Sequence, residues 1–467
     1  MSRKTSITAA VLLTLFLQGC SLAPEYLRPA LPVADSLPAV KTSGDARQMD
    51  KDGAELGWRE YFVDPALQQL IATALDNNRD LRQAALTVES YQAQYRIQRA
   101  ALLPSVTGAG SGAKQRAYSG GRHLTTEYYS ASVGVTAYEL DFFGRVKNLE
   151  ENALEQYLAL GETHRGARLS LVAEVARGYL TLLADREMLA ITEETLQNEE
   201  ESYQLVEQRA NEGVATQLAL AQARIGVETA RVNLAVFRRQ VGQDLNNLTL
   251  LCGAPLPVLP EAPATLSDRD PFPGLKAPLS SQVLLQRPDI LAAEHELKGA
   301  NASIGAARAA FFPSIGLTVN GGVTSGEFSD LFAGSAGTWL FSPSVTVPIF
   351  TAGRLEAQLD VAEIRKEISV AKYEKTIQTA FREVADALIA LDTYGEQLTA
   401  QKANLQANLD YYATAKDRYR EGLDSSLTLL DAQRSLFDAR RAYVSLRLAQ
   451  QVNQVNLYKV LGGGWQE

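Results

Sequence analysis

An internal duplication constrains this chain more than any other feature of its sequence. Short landmarks recur at one offset of 209 residues, the separation of Pro104 and Pro313. A constant offset over most of a chain predicts that one supersecondary unit is written twice and folds twice. The recurring landmarks are Asp80 and Asp289, Arg99 and Arg308, Pro104 and Pro313, Gly144 and Gly353, Glu174 and Glu383, Gly213 and Gly422, and Gly253 and Gly462.

The duplication also divides the chain into segments. The first copy covers 66–253, and the second covers 275–467 including a short C-terminal tail. Between them, 254–274 is rich in proline and aspartate, which predicts a linker. Residues 20–65 carry several prolines and are predicted to form an extended N-terminal arm.

Most of each copy is predicted to be helical. Apolar residues follow helical spacing over 66–101, 217–250, 280–310 and 426–460, and the proline-free stretch 144–210 predicts one helix of 67 residues. Such a helix is about 100 Å long, so pairs of half-length helices are needed to cover it. The 3–4 spacing of a coiled-coil seam appears in both copies, at Leu169, Val172, Ala176, Tyr179 and Leu183 and at Ala432, Leu436, Ala439, Tyr443 and Leu446.

Two strands per copy are predicted between the first helix and the long helix. Ile315, Leu317 and Val319 alternate with small polar residues, which is typical of a strand with one lipid-facing and one water-facing side. The edge of a soluble β-sandwich gives the same pattern. Four strands cannot close a barrel, so a barrel requires oligomerisation. The 209-residue offset maps Val133 and Val135 onto serines, so we expect a bulge or shift in one copy.

The N-terminus is predicted to be an export signal. Arg3 and Lys4 precede a short apolar core, and 1–19 ends in Leu17-Gln18-Gly19 before Cys20. This end resembles the lipobox of bacterial lipoproteins, which implies cleavage before Cys20 and covalent lipid on that residue. A plain secretory signal with an incidental cysteine is the alternative.

Composition and motifs exclude several classes of protein. The chain has 45 Lys and Arg against 54 Asp and Glu, a net charge of −9, which disfavours nucleic acid as a partner. The three histidines, His123, His164 and His295, have no metal-ligand spacing. No phosphate-binding loop or nucleophile elbow appears, so we expect neither an enzyme nor a cofactor other than the lipid on Cys20.

Together these features resemble the outer membrane factors of the TolC and OprM type. The resemblance rests on the lipobox, the duplicated unit, the Gly144-Arg145 and Gly353-Arg354 pair, and the segments 287–290 and 429–434, Arg-Pro-Asp-Ile and Leu-Leu-Asp-Ala-Gln-Arg. The closest branch is the lipoproteins that serve multidrug efflux systems of the RND class. The resemblance implies a mainly α fold with a membrane β-barrel part: a homotrimer with a 12-stranded outer-membrane barrel and a periplasmic α-barrel of coiled-coil hairpins. It also implies a periplasmic membrane-fusion adaptor and an inner-membrane RND transporter as partners.

The resemblance assigns two candidate sites, both at the helical hairpins. The hairpin tips are expected to dock the adaptor, through Gly213, Val214, Ala215 and Thr216 and through Gly422, Leu423, Asp424 and Ser425. Each glycine also suits a left-handed helix terminus.

The second candidate site is the family's periplasmic gate, which falls on Leu427, Asp431 and Arg434, with Tyr419 as a further member. The spacing puts the first three on one helix face and permits a surface ion pair between Asp431 and Arg434. A solvated helix face is the alternative interpretation. Asp424 stands where some members carry arginine, so a bridge from Asp424 to Tyr419 or Asp431 is not expected.

Other functions remain open from the sequence. A structural envelope lipoprotein without a pore would use the coiled coils as a spacer. A related channel for type I protein secretion or metal-ion export is also compatible. Beyond the signal peptide the chain has only Met49 and Met188, which favours drug-type export over copper or silver.

Overall fold

The computed structural model describes residues 21–38, 48–52, 56–257, 266, 272, 274–276 and 280–463. The predicted signal peptide 1–19 and the lipidation residue Cys20 lie outside these ranges. The chain forms two compact units. The first draws on Met1–Ala30, Thr87–Gly161 and Ala292–Glu374, and the second on Leu31–Leu86, Glu162–Leu291 and Lys375–Glu467.

The described residues form α-helices and β-strands in the order that the duplication predicts. The helices are α1 (Trp58–Tyr61), α2 (Pro65–Asn77), α3 (Arg79–Ala100), α4 (Arg145–Asn211), α5 (Gln217–Cys252), α6 (Pro288–Ala309), α7 (Arg354–Arg420) and α8 (Ser426–Val460). The strands are β1 (Gln48–Asp52), β2 (Val106–Ser119), β3 (Arg122–Leu140), β4 (Gly274–Lys276), β5 (Ser314–Ser325) and β6 (Gly337–Thr346).

The two long helices match the predicted length. Both α4 and α7 have 67 residues, about 100 Å at the rise of an α-helix. Each begins directly after a glycine with positive φ, Gly144 or Gly353, and ends just before another, Gly213 or Gly422. Within the described part of the chain, no helix carries an apolar stretch long enough to span a membrane.

The predicted helix over 66–101 is wrong in one respect, because it is two helices. The chain breaks at Asn78 between α2 and α3. The Asn78 side chain donates from Nδ2 to the carbonyl of Leu251 at 2.9 Å and accepts from the amide of Leu81 at 2.9 Å. This side chain therefore caps α3 and binds the end of α5 at the same time. The second copy differs similarly: a 3₁₀-helix over Ser281–Gln286 precedes α6.

The first unit contains a four-stranded antiparallel sheet in the order β2-β3-β5-β6. The β2–β3 hairpin pairs from Val106 with Val135 to Ser119 with Arg122, and Gly120 and Gly121 form its turn. Both turn residues have positive φ, +58° and +82°, which a two-residue hairpin turn of type I′ requires. Strand β5 joins β3, so the two copies contribute one hairpin each to a single sheet.

A β-bulge in β3 accounts for the phase difference between the copies. Val135 pairs with Val319, but Tyr138 pairs with Leu317, so β3 holds one more residue than β5 between these pairs. Ala137 in the bulge has φ of +54°, and its amide donates to Thr318 Oγ1 at 3.2 Å. The extra residue returns Tyr138 and Leu140 to the face that Val133 and Val135 occupy.

One face of this sheet is consequently apolar over 106–108, 133–140, 315–319 and 339–345, and the opposite face is mostly small and polar there. Farther along β2 and β3 the first face carries the ion pair of Lys114 and Glu127. Residues directly opposite in the ladder share a face, and the apolar face is solvent-exposed in the single chain, with Trp339 82% exposed. Its members include Val106, Val133, Val135, Leu317, Val319, Trp339, Phe341 and Val345. The opposite face carries Ser111, Ser130, Ser132, Thr318, Asn320, Ser342 and Ser344.

The second unit is built on a packed core that includes the predicted coiled-coil seam of α4. All five predicted seam residues in α4, from Leu169 to Leu183, are buried. In α8, Ala432, Leu436 and Ala439 are buried as predicted, whereas Tyr443 and Leu446 are half-buried. Tyr61 stacks on Tyr458 with ring centroids 4.4 Å apart, joining α1 to the end of α8. Cys252 is buried in the same core.

Candidate functional site

The first hairpin tip joins α4 to α5 through a left-handed glycine. Gly213 has φ of +76°, and the amide of Val214 returns to the carbonyl of Arg209 at 2.8 Å. Thr216 then caps α5, because its side chain accepts from the amide of Ala219. Val214 is 75% exposed and Ala215 is half-buried. The tip therefore exposes one large apolar side chain, and hydrogen bonds within the tip fix its backbone.

The second tip joins α7 to α8 with the same backbone geometry. Gly422 has φ of +72°, and the amide of Leu423 returns to the carbonyl of Arg418 at 2.9 Å. Leu423 is exposed like Val214, and Ser425 stands at the start of α8. Asp424 accepts from the Arg418 guanidinium at 2.6 Å, a hydrogen bond that lowers the pKa of the Asp424 carboxyl. In the described part of the chain, Arg418 is therefore the ion-pair partner of Asp424.

Three of the four predicted gate residues share an exposed face at the start of α8. Leu427, Asp431 and Arg434 are all exposed, and Leu427 keeps 59% of its surface. The partner of Asp431 in the chain is Tyr411, whose hydroxyl donates to Oδ2 at 3.4 Å. The permitted Asp431–Arg434 ion pair does not form among the described residues, because Asp431 turns to α7 and Arg434 turns to α4. Both charges remain accessible.

Tyr419, the fourth predicted gate residue, does not share that face. Its side chain is only 4% exposed and packs with Val206, Ala223 and Leu429. The Arg209 guanidinium lies 4.5 Å from its ring centroid and donates to its backbone carbonyl at 3.3 Å. Tyr419 therefore packs the end of α7 against the end of α4, next to the two tips.

Sequence reasoning missed Glu199, which lies beneath the exposed gate residues. Its side chain is 7% exposed, and Oε2 has no hydrogen-bond partner among the described residues. Burial raises its pKa to about 7, although the nearby positive charge of Arg434 acts in the opposite direction. A Cβ at Gly226 would lie 2.4 Å from Oε2, so a larger residue there would displace the Glu199 carboxyl from this position. In the sequence Glu199 is hidden inside an acidic run that is typical of a solvated face.

The histidines and other metal-ligating residues form no metal centre in the described part of the chain. His295 contacts the Glu155 carboxylate at 2.6 Å, and burial lowers the pKa of His164. Both histidines therefore have ordinary structural environments.

The two copies of the chain each match the same family model. The model is that of the outer membrane efflux proteins, and it matches residues 70–254 and 279–463. The chain belongs to this family. The sequence resemblance to outer membrane factors and the duplicated fold are thereby confirmed.

Outer membrane efflux proteins of named systems are similar to this chain along its whole length. The toluene efflux pump outer membrane protein TtgC of Pseudomonas putida is 52% identical over 466 residues, which cover 99% of this chain and 96% of TtgC. The cation efflux system protein CusC of Escherichia coli O157:H7 is 45% identical over 457 residues, 97% of each chain.

Solved outer-membrane channels share the fold. A crystal structure of CusC superposes with a TM-score of 0.87 at 43% identity, covering 95% of this chain and all of CusC. The MtrE outer membrane channel of Neisseria gonorrhoeae, solved in its open state, gives a TM-score of 0.87 at 38% identity and covers 96% of this chain and 99% of MtrE. This outer membrane efflux protein therefore has the fold of an outer-membrane channel.

Proposed function

We propose that three copies of this outer membrane efflux protein form one passive channel, the exit duct of a tripartite pump. The observation that carries the proposal is the four-stranded sheet, whose outer strands are β2 and β6. Outer strands present backbone groups that seek a neighbouring strand, and four strands are too few to close a barrel. Three copies joined edge to edge give 12 strands, a number that closes around a water-filled pore.

The division of the sheet into two faces supports a membrane barrel over a soluble sandwich. Apolar side chains such as Val133, Trp339 and Phe341 are exposed in the single chain and suit lipid. The serine, threonine and asparagine face suits a wet lumen. A spacer without a pore would need neither property.

Lipid attachment at Cys20 would add an anchor on the same side as the strands. The next residue, Ser21, donates to Asn148 Oδ1 at 2.9 Å, one turn after Gly144 ends the strand region. Further along, Arg28 binds both oxygens of Glu294 on α6, and Asn301 Nδ2 donates to the carbonyl of Pro24. These contacts would hold the lipidated residue near the strand end of the long helices once 1–19 is removed.

The hairpin tips are suited to dock a periplasmic membrane-fusion adaptor, which would connect the duct to an inner-membrane RND transporter. Val214 and Leu423 are the exposed apolar side chains of the two tips. The backbone amide of each donates a hydrogen bond to the end of the preceding long helix, which fixes the tip. Exposed apolar residues on rigid loops commonly carry recognition. We propose 213–216 and 422–425 as the adaptor contacts.

Leu427, Asp431 and Arg434 are proposed as the gate. Around a threefold axis their exposed face would form an apolar ring and two charged rings, and pairs between neighbouring chains would hold the periplasmic end closed. Asp431 and Arg434 are both free of ion pairs within the described chain and so are available to a neighbouring copy.

The cargo is proposed to be organic compounds. Relatives are named for the efflux of toluene, antibiotics or cations. Of the two methionines beyond the signal peptide, Met188 is buried in the core of the second unit and cannot offer a thioether to a metal ion. Export of soft metal ions by a methionine-lined path is therefore the less favoured alternative.

Electron microscopy of the full-length protein from outer membranes tests the assembly. In mild detergent we expect hollow particles with threefold symmetry and a detergent belt around the strand end. Solid rods or monomers without a belt would contradict the channel and support the spacer lipoprotein.

Single-channel conductance in planar bilayers tests the gate. The double variant Asp431→Ala with Arg434→Ala should conduct more than the wild type, because it removes both charged rings. The matched control is Asp438→Ala with Arg441→Ala, an exposed pair with the same spacing one heptad further along α8. Equal conductance of the gate variant and the wild type, with trimers intact, would contradict the assignment.

A further inference from the structure

A cavity of about 330 Å³ lies between α4, α5 and α8, directly beneath the exposed gate residues. Its walls are mixed: aliphatic and aromatic side chains form one part, and oxygen-bearing side chains form the other. The apolar wall consists of Ile225, Ala230, Leu427, Leu430 and Phe437. The polar wall consists of Thr192, Thr195, Glu199, Gln222, Thr229, Asn233, Gln433 and Arg434.

Two buried acceptors in the polar wall are unsatisfied. Glu199 Oε2 and Gln433 Oε1 have no hydrogen-bond partner among the described residues, and both side chains are more than nine-tenths buried. The orientation of the Gln433 amide is fixed by its nitrogen, because Nε2 donates to Ser202 Oγ at 3.1 Å. A buried acceptor without a donor destabilises the fold, so two of them on one cavity indicate a ligand that donates hydrogen bonds.

The three threonines of the cavity add further acceptors and no donors. Each hydroxyl already donates to a carbonyl one turn earlier in its own helix: Thr192 to Met188, Thr195 to Ile191 and Thr229 to Ile225, at 2.7 to 2.8 Å. A hydroxyl that has donated its hydrogen presents only lone pairs. Around Glu199 the polar wall consequently offers a carboxylate, an amide oxygen and hydroxyl lone pairs. The amides of Gln222 and Asn233 and the guanidinium of Arg434 add donors in the more exposed part of the cavity.

The charged groups around Glu199 do not neutralise it. Arg434 from α8 lies on the rim and is exposed, and α5 contributes only neutral groups at the cavity. On the other side of Glu199, Arg440 is occupied by Glu194 at 2.9 Å, and Tyr412 faces it from α7. With a pKa of about 7, the Glu199 carboxyl is half ionised near neutrality. Its ionised form would be stabilised by a cation that lies closer than Arg434.

We propose that this cavity binds a protonated primary amine with a short apolar body, its ammonium held by Glu199 and Gln433. An ammonium group has three donors and no acceptor, which complements the polar wall. The apolar wall accommodates a hydrocarbon chain, and the cavity is far larger than a single metal ion. An anion is excluded by the carboxylate. The site shares Leu427 and Arg434 with the proposed gate, is distinct from the tips, and does not require the channel function proposed above.

Titration calorimetry of the full-length protein in detergent, with n-hexylamine as the probe, tests this site. We expect one site per chain, with affinity about tenfold higher at pH 8 than at pH 6, because the ammonium binds the ionised carboxylate. Hexan-1-ol, which has the same chain and no charge, is the control ligand. Equal binding of alcohol and amine, or no saturable amine binding, would overturn the proposal.

Two pairs of variants identify the site. Glu199→Gln should lower the affinity for n-hexylamine about tenfold, whereas Glu200→Gln, at the neighbouring half-buried position that pairs with Arg231 outside the cavity, should not change it. Ile225→Trp should fill the cavity from its exposed wall, whereas Val232→Trp, two turns along the same exposed side, lies outside the cavity. The tryptophan pair leaves Glu199 intact, so it tests the site even if the glutamine variant folds poorly. Unchanged amine binding in Ile225→Trp would overturn the proposal.

Discussion

The two helical hairpins are copies of one element, yet they carry different chemistry at equivalent positions. Both start with a helix of 67 residues and turn through a left-handed glycine. At the 209-residue offset, the proposed gate residues Leu427, Asp431 and Arg434 correspond to Leu218, Gln222 and Ile225. The buried carboxyl of Glu199 corresponds to the amide of Asn408. At this helix face the second copy therefore has exposed charged side chains, whereas the first copy has a buried carboxyl.

This difference separates what the fold requires from what the function requires. Glycines at the turns and helix starts are kept in both copies because only glycine adopts those backbone angles at low cost. Side chains on the helix faces are free to diverge once the backbone is set. In the proposed trimer, two inequivalent hairpins per chain would give six hairpins of two kinds, with the exposed gate charges on one kind and the buried carboxyl of Glu199 on the other.

The junctions at the other end of the hairpins show the same principle. Asn78 and Arg287 are equivalent, and each donates to the equivalent carbonyl at the end of its hairpin, Leu251 or Val460. The second copy uses a guanidinium that also binds Asp289 and Glu383, each at 2.8 Å. One geometry is therefore held by a neutral amide in one copy and by a buried guanidinium with two partly exposed carboxylates in the other.

The largest effect should come from removing the charged junction. We expect Arg287→Ala to lower the free energy of unfolding by about 3–5 kcal/mol, since it removes a buried guanidinium and its hydrogen bonds to Val460, Asp289 and Glu383. Asn78→Ala should cost about 2 kcal/mol, for a lost cap and a lost neutral hydrogen bond. Thermal unfolding of the purified protein, followed by circular dichroism, measures both. Equal losses would mean that the ion pairs add nothing beyond the shared carbonyl contact.

A somewhat smaller effect should distinguish the glycines that end the two hairpins. Gly253 and Gly462 both have positive φ, but a Cβ at Gly253 would lie 2.4 Å from the carbonyl oxygen of Asn77. At Gly462 the nearest atom, Arg287 Cγ, would lie 3.4 Å away. Gly253→Ala should therefore cost about 2–4 kcal/mol, for backbone strain and a forced shift, and Gly462→Ala about 1 kcal/mol.

The same unfolding measurement tests this ranking. If Gly462→Ala were the more damaging substitution, the close approach of Asn77 would not be what requires glycine in the first copy.

The sequence predicts those parts of the fold that glycine and proline mark. The predicted range 144–210 agrees with α4 to within one residue at each end, because Gly144 and Gly213 stand beside those ends. Gly353 and Gly422 stand at the equivalent ends of α7. The break at Asn78 was missed because the first copy has neither residue there. Its signal lay in the other copy, where Pro288 occupies the position equivalent to Arg79.

The candidate site was less predictable than the fold, for a physical reason. Exposure of Leu427, Asp431 and Arg434 follows from their spacing on one helix face. The burial of Tyr419 and Glu199 depends on how separate helices pack, which no local pattern records. The phase difference between the copies predicts a bulge or shift in one of them, but only the pairing with β5 places it at Ala137.

The smallest effect concerns a carboxyl pair that only the first copy contains. Asp185 and Asp244 share a hydrogen bond between α4 and α5, whereas the equivalent residues of the second copy are Tyr394 and Asn453. Partial burial, with the negative charge of Asp185, raises the pKa of Asp244 to about 7. The folded state thus holds a proton that an unfolded aspartate releases near pH 4, and stability falls as the pH rises from about 4 to about 7.

Exchanging these residues between the copies tests the origin of that pH dependence. Asp244→Asn installs the residue of the second copy and should stabilise the protein at pH 8 by less than about 1 kcal/mol, since the pair is partly solvated. At pH 5, where the pair already shares a proton, the variant should match the wild type. Asn453→Asp makes the reverse exchange and loses the donor to the Ala387 carbonyl, so it should destabilise more at pH 8 than at pH 5. If Asp244→Asn gave the same shift at both pH values, the raised pKa of Asp244 would not be the source of the difference between the copies.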